Sequence, residues 1–245
     1  MRKIFNLRIL LLLGAVILVC ILLLLPESYR RCGYNWTIGR FFRHNVQSRL
    51  DDFGTEAAGR LKLVQTPEKL VIIALKEEKL LEVWGIDHNE QIFAIRRYPI
   101  LAASGGPGPK LREGDRQVPE GFYEIESLHP NSHFYLALKI AYPSKEDITA
   151  AQIDGRETST LGSAVMLHGR GGSTGCIAVD NQAIEEIFFL AASVSEKNVN
   201  LLILPFDFRK RAVPDQMKIS WLKERYCRLA AVVCKFPVEK MDMLL

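Results

Sequence analysis

No Cys-x-x-Cys pair occurs in this 245-residue chain. Its five cysteines (Cys20, Cys32, Cys176, Cys227 and Cys234) are too few to scaffold a body of this length with disulfides. The cysteine pattern does not read as a zinc site. No internal repeat and no long low-complexity tract appears, which excludes a repeat architecture. The net charge is only +4, and no basic stretch interleaves with aromatics, so nucleic acid is not an expected partner. Charged residues at 24% and hydrophobic residues at 48% exclude a wholly disordered chain and leave apolar material for a sizeable core.

The N-terminus carries Arg2, Lys3 and Arg8, followed by the uncharged apolar run Ile9–Leu25. As a helix this run measures about 25 Å at 1.5 Å per residue, the short end of a membrane span and the long end of a signal peptide. Leu24, Leu25, Pro26 and Glu27 close it, with no Ala-x-Ala-like cleavage site. An uncleaved anchor is therefore expected over residues 1–25, with a cleaved signal or a buried helix as alternatives. Arg30, Arg31, Arg40 and Arg43 on the far flank oppose the N-terminal cations, so charge counting does not set an orientation. Outside the cytoplasm, two of Cys32, Cys227 and Cys234 can pair; the sequence does not choose which.

Residues 26–68 read as a basic stalk or helical lead-in, with a helix within Leu50–Leu63. "KLVIIALKEEKLLEVWG" (69–85) reads as two strands around a Lys-Glu-Glu turn, and 90–104 as further strand. Residues 105–121, rich in glycine, proline and charge, read as a long loop. Strands are expected at 122–128, through the alternation of Phe134, Leu136, Leu138 and Ile140, at 163–169 and at 199–206. Residues 144–163 read as a polar connection. Residues 180–196 read as a helix capped by Asp180. The extension 207–245 is basic, then apolar around Trp221–Val233, and a helix docked on its own domain is expected there. The fold class is mostly β with one internal helix, preceded by a hydrophobic anchor helix.

The segment "AVMLHGRGGSTGCIAVD" (164–180) holds a histidine and a cysteine among glycines. His168 ends a strand and Cys176 just precedes the predicted helix. A cysteine beside a helix N-terminus has a lowered thiol pKa, a nearby histidine can take its proton, and the amides of Gly175 and Cys176 can hold an oxyanion. Such parts suit acyl transfer through a thioester. A structural buried cysteine with a satisfied histidine, or a metal pair extended by His129 and His133, remain alternatives. Metal binding needs further ligands, and His129 and His133 do not share a helical face.

"STGCIAV" (173–179) with its upstream His168-Gly169 pair resembles the cysteine motif of the YkuD-type L,D-transpeptidase catalytic domain family. "REGDRQVPEGFYEIESL" (112–128) resembles that family's substrate-side segment. "HPNSHFYLALKIAYPS" (129–144), followed by "GSAVMLHG", resembles more narrowly its YafK-like branch. The resemblance covers 69–206. It implies a mostly β catalytic domain that acts on peptidoglycan stem peptides without cofactor or metal. Cysteine attacks the carbonyl of the L-centre in an L,D-peptide bond. The thioester then passes to an amine (a second stem peptide, a D-amino acid or a wall-linked protein) or to water. Cys176 matches the nucleophile, His168 the base and Gly169 the residue orienting that base; Ser173, Thr174 and Gly175 match the motif around the nucleophile. Thr174 stands where many members have histidine, and Ala178 where many have arginine or asparagine.

Arg170 is then the nearest basic candidate for a substrate carboxylate, with His129, Asn131, His133 and Tyr142 as further substrate-binding candidates. The expected function is a cysteine-dependent L,D-transpeptidase. A murein hydrolase, L,D-carboxypeptidase or amidase using the same pair is the alternative, and a non-catalytic wall-binding module a second. The resemblance also selects an N-inside orientation, hence a single-pass inner-membrane protein with its catalytic domain in the periplasm, or a secreted periplasmic one if the signal is cut.

Overall fold

The computed structural model describes residues 44–242. The apolar run Ile9–Leu25 and Cys32 lie outside them. Among the described residues no helix is long and apolar enough to cross a membrane. This corrects the expected single-pass placement in the inner membrane, since no described helix supports it.

A first helix, α1, spans Val46–Leu61, capped by the Asn45 side chain accepting from the Ser48 amide. Strands β1 (Lys69–Leu75), β2 (Leu80–Ile86), β3 (Ile92–Pro99) and the short β4 (Ala102–Ala103) follow. After a loop come β5 (Gly121–Ser132) and β6 (Tyr135–Ile140), helix α2 (Lys145–Ile153), and the short strands β7 (Met166–His168) and β8 (Ile177–Ala178). Helix α3 (Asn181–Val194) leads into β9 (Val199–Leu204), and α4 (Leu222–Val233) and α5 (Val238–Asp242) end the described chain. The strands form one sheet in the order β3-β2-β1-β9-β5-β6-β7-β8-β4. β5 is the strand shared between its two halves: Gly121–Glu124 pair with β9, and the rest pairs with β6.

The expectation of a mostly β body with one internal helix is corrected to a sheet-rich mixed fold with several helices. The sequence reads as polar connection over α2, yet Ser144 and Asp147 form a reciprocal capping box at its start. Such a cap satisfies two amides at the helix end without requiring an apolar face, which is why hydrophobic periodicity did not reveal the helix.

β1 explains the layering. Its run "KLVIIAL" is buried on both faces, as expected of a strand covered from both sides. Leu70, Ile72 and Ala74 join a core with Phe53 and Ala57 of α1 and Ile184 and Phe188 of α3. Val71, Ile73 and Leu75 face the opposite way, into a core with Leu222, Tyr226 and Leu229 of α4. Each such side chain contributes about 1.5–3 kcal/mol by leaving water. Phe236, after α4, meets the fully buried Trp84 edge-on at 5.5 Å.

Polar contacts hold the tail as well. Arg209 reaches both Glu82 oxygens of β2 at 3.0 and 3.1 Å. Arg225 of α4 donates to Asp147 Oδ1 at 2.8 Å and to the Glu120 carbonyl at 3.0 Å. Glu120, fully buried, accepts from Lys76 Nζ at 2.8 Å, from the Gly108 amide at 2.7 Å and from the Tyr226 hydroxyl. Burial pushes the Lys76 ammonium below its ordinary pKa even against the attraction of Glu120. Cys227 and Cys234 are exposed free thiols.

Removing one partner of a buried ion pair leaves an uncompensated charge. Arg225→Met is therefore expected to lower unfolding free energy by about 3–5 kcal/mol in urea titrations. A loss under about 1 kcal/mol would show that the Arg225–Asp147 contact does not hold the tail.

Candidate active site

β7 and β8 run parallel, with Leu167 opposite Ile177 and His168 opposite Ala178. Leu167 and Ile177 point into the core beneath α3. Side chains alternate along a strand, so His168 and Ala178 point to the other face. One further step of the register places Met166 opposite Cys176 on that same face. His168 and Cys176 are thus diagonal neighbours, with Cα atoms about 8 Å apart for strands about 4.8 Å apart. The row across the sheet runs His129, Ala137, His168, Ala178 and Ala102. Alanines on either side of His168 leave its ring room.

His168 is 1% exposed. Its Nδ1 lies 2.7 Å from the Gly169 carbonyl oxygen. A carbonyl only accepts, so Nδ1 carries the proton and Nε2 holds the free lone pair. Glycine at 169 allows the close packing here: a Cβ would lie 2.8 Å from Ile184 Cγ2 and 3.2 Å from the Phe134 carbonyl oxygen. The Phe134 ring stacks on the imidazole at 4.3 Å and 25°. Burial pushes the His168 pKa below its ordinary 6.5, against the pull of the Gly169 carbonyl.

Phe134 corrects an expectation. Alternation put it on the core face with Leu136, but it is 43% exposed. Tyr135 adopts φ 81°, which breaks the strand alternation at the hairpin and turns Phe134 over His168. Sequence reasoning missed it because alternation assumes extended backbone throughout.

Cys176 is half-buried at the edge of a cavity of about 330 Å3, whose wall includes Lys110, Ser163, Ala164, Thr174 and Gly175. Its thiol faces the Ala164 carbonyl at 3.9 Å. Among the described residues no hydrogen bond joins it to His168. The helix does not start at Cys176 either: β8 intervenes, and Asp180 caps α3 by accepting from the Ala183 amide. The expected lowering of the thiol pKa is therefore corrected. Burial pushes it above its ordinary 9.0, against a smaller downward pull from a Met166 backbone bond and the Lys110 charge. Thiol and imidazole are both neutral at pH 7.

The proposed free amides are also corrected. The Gly175 N–H donates to Ser104 Oγ at 2.6 Å and the Cys176 N–H to Ser173 Oγ at 3.0 Å. Ser173 in turn donates to the Cys176 carbonyl. These two serines lock the turn, with Gly175 at φ 98°, rather than leaving open donors. Thr174 is exposed on the cavity wall.

The other candidates do not gather on this cavity. Arg170 is exposed and lies 5.6 Å from the Tyr135 ring centre. Asn131 exchanges two hydrogen bonds with the His44 backbone and ties down the entry to α1. His129 bonds Ser127 Oγ at 3.0 Å, and His133 is exposed in the hairpin. Tyr142 is buried and donates to the Leu161 carbonyl at 3.3 Å. Among the described residues no three His, Cys, Asp or Glu side chains are placed to hold a metal. Lys110 is the cavity residue that sequence reasoning missed, since nothing distinguishes it from other loop cations until the loop is folded.

Residues 68–198 match the family described as YkuD, L,D-transpeptidase catalytic domain. YafK of Escherichia coli strain K12, a candidate L,D-transpeptidase, is 38% identical over 136 residues, covering 54% of this chain and 52% of that protein. YafK of Escherichia coli O157:H7 gives the same figures. The chain thus spans about half the length of the curated relatives it matches. The helical cell shape determining protein Pgp2 of Campylobacter jejuni superposes with a TM-score of 0.44 at 20% identity, covering 78% of this chain and 61% of that one. Bd1075 of Bdellovibrio bacteriovorus superposes with a TM-score of 0.41 at 25% identity, covering 69% and 55%. These overlaps are partial, and the family rests on the sequence match.

Burial of a neutral imidazole stabilises the fold fully above pH 6.5, and that contribution is lost as pH falls through 6.5 toward the lower folded value. In NMR titrations His168 is expected below 6.5, and Phe134→Ala is expected to raise it toward 6.5 by admitting water. A wild-type His168 titrating above 6.5 would contradict the role given to burial.

Proposed function

The chain belongs to the YkuD family of L,D-transpeptidase catalytic domains, and from this we propose that it transfers peptidoglycan stem peptides through a thioester on Cys176. The observation that carries the reading is the 2.7 Å contact between His168 Nδ1 and the Gly169 carbonyl oxygen. The Gly169 carbonyl holds the Nδ1 proton, which leaves Nε2 as a base on the sheet face shared with Cys176.

The Cys176 thiol rotates from the Ala164 carbonyl toward Nε2 and gives up its proton as sulfur attacks the carbonyl carbon of the L-centre. A neutral pair suits this step, because charge develops during attack rather than being stored beforehand. The imidazolium returns its proton to the departing amine of the D-residue, leaving the thioester. An acceptor amine then loses a proton to Nε2 and displaces the thiolate, which is reprotonated. The Phe134 ring and the neighbouring strands keep bulk water from Nε2.

Water as the acceptor is the second reading, favoured by the size of the cavity. At about 330 Å3 it sits at the low end of ligand pockets. The same dyad then works as a murein hydrolase or L,D-carboxypeptidase.

Full-length protein incubated with stem tetrapeptides and a free D-amino acid separates these readings by product mass. Exchange of the terminal D-residue is expected for transfer, and shortened peptide alone for hydrolysis. Cys176→Ala is expected to lower either product at least about 10³-fold. Product formation that survives Cys176→Ala would overturn the reading.

A further inference from the structure

The wall of the Cys176 cavity carries a cation that the motif does not account for. Lys110 lies in the loop between β4 and β5, its side chain 7% exposed. Its Nζ donates to the Arg112 carbonyl at 2.8 Å and to Asp115 Oδ1 at 2.8 Å. The ammonium also lies 6.0 Å from the centre of the Tyr142 ring. An ammonium has three N–H donors, so one remains after these two bonds.

The geometry is rigid. Asp115 accepts from the Leu111, Arg112 and Gln117 amides at 2.7, 3.0 and 3.0 Å. Against the upward pull of its own burial, the bonds from Lys110 and these amides hold its carboxyl below the usual range. The carboxylate that pairs Lys110 is thus held in place by three amides, and the ammonium keeps one N–H beyond its bonds to Asp115 and the Arg112 carbonyl. The other charged residue on the cavity wall is Glu113. Arg170, the cation expected from sequence, is turned to Tyr135 instead. Lys110 and Cys176 line the same cavity, where burial raises the thiol pKa and the Lys110 charge opposes it more weakly.

We propose that Lys110 is the anion-recognising residue of this cavity, its remaining N–H binding the carboxylate of the departing D-residue. This rests on the acyl-transfer reading above for the identity of the anion, but not for the existence of the subsite. A C-terminal D-residue carries its carboxylate next to the scissile amide. A cation beside the nucleophile therefore selects stem peptides ending in a free acid, and it is a specificity determinant rather than a participant in proton transfer.

Two alkylating agents test the subsite without any cell-wall substrate. Iodoacetate and iodoacetamide react with the same thiolate, so the ratio of their rates at Cys176 cancels the thiolate fraction and isolates the effect of local charge. Peptide-level mass spectrometry of the full-length protein reads that ratio, with the exposed Cys227 and Cys234 as internal references. Lys110→Gln is expected to lower the ratio at Cys176 by up to about fivefold, the limit set by one unit charge at contact range in water-like surroundings. Lys110→Arg and Arg170→Gln are expected to retain it. An unchanged ratio in Lys110→Gln, or an equal fall in Arg170→Gln, would overturn the proposal.

Stem peptides ending in a D-residue as free acid or as amide supply the second arm. Lys110→Gln is expected to raise KM about fivefold for the acid and to leave the amide unchanged. If the alkylation ratio falls as expected while no peptide is turned over, the anion subsite stands and the acyl-transfer reading fails. If peptides are turned over but neither ratio nor acid preference responds to Lys110, the subsite fails and the acyl-transfer reading stands.

Discussion

Parallel pairing of β7 with β8 is the constraint on which the site depends. The two strands are adjacent in the sheet but joined by only residues 169–176. A parallel connection normally takes a dozen or more residues to return to the start of the next strand. Here it is feasible because the strands are three and two residues long, so the chain has little distance to retrace. The return still demands sharp turns, and Gly172 and Gly175 take φ 127° and 98° to make them. The serine bonds to the Gly175 and Cys176 amides then fix the turn. Glycine richness is thus a consequence of the connection, and the placing of His168 and Cys176 on one face follows from the parallel register.

A second dependence runs through the buried Glu120. Its carboxylate gathers Lys76 from the end of β1, the Gly108 amide from the cavity loop and Tyr226 from α4. The loop that presents Lys110 is therefore tied at its far end to a helix outside the family-matched residues. Arg225 adds a bond to the Glu120 carbonyl. The tail packs behind the cavity loop through this clamp and completes the core on the second face of β1.

Much of the scaffold was legible from sequence. β1 announced itself as a continuous apolar run, and β2 and β9 as runs broken only by Glu82 and Asn200, because both faces of that part of the sheet are covered. α3 was legible from Asp180 and from its apolar stripe. His168 and Cys176 stood out by residue type and short spacing, but only the resemblance to the YkuD family favoured a nucleophile and base over a buried cysteine or a metal pair. What was not legible depended on backbone geometry or on distant partners. The positive φ at Tyr135 redirected Phe134, and the Ser144–Asp147 box started a helix with little apolar signal. Asn131 found its partner at His44, 87 residues away. The serine locks on the two amides, and the choice of Lys110 over Arg170, required the folded loops to be seen together.

The central claim is that Cys176, served by Nε2 of His168, carries the acyl group. Acid-quenched intact-protein mass spectrometry after brief exposure to a stem tetrapeptide tests it most directly. The account predicts an adduct on Cys176 equal in mass to the acylating peptide fragment, labile to hydroxylamine, and absent or strongly slowed in His168→Gln. An adduct formed at the wild-type rate in His168→Gln, or one mapped to a residue other than Cys176, would contradict it.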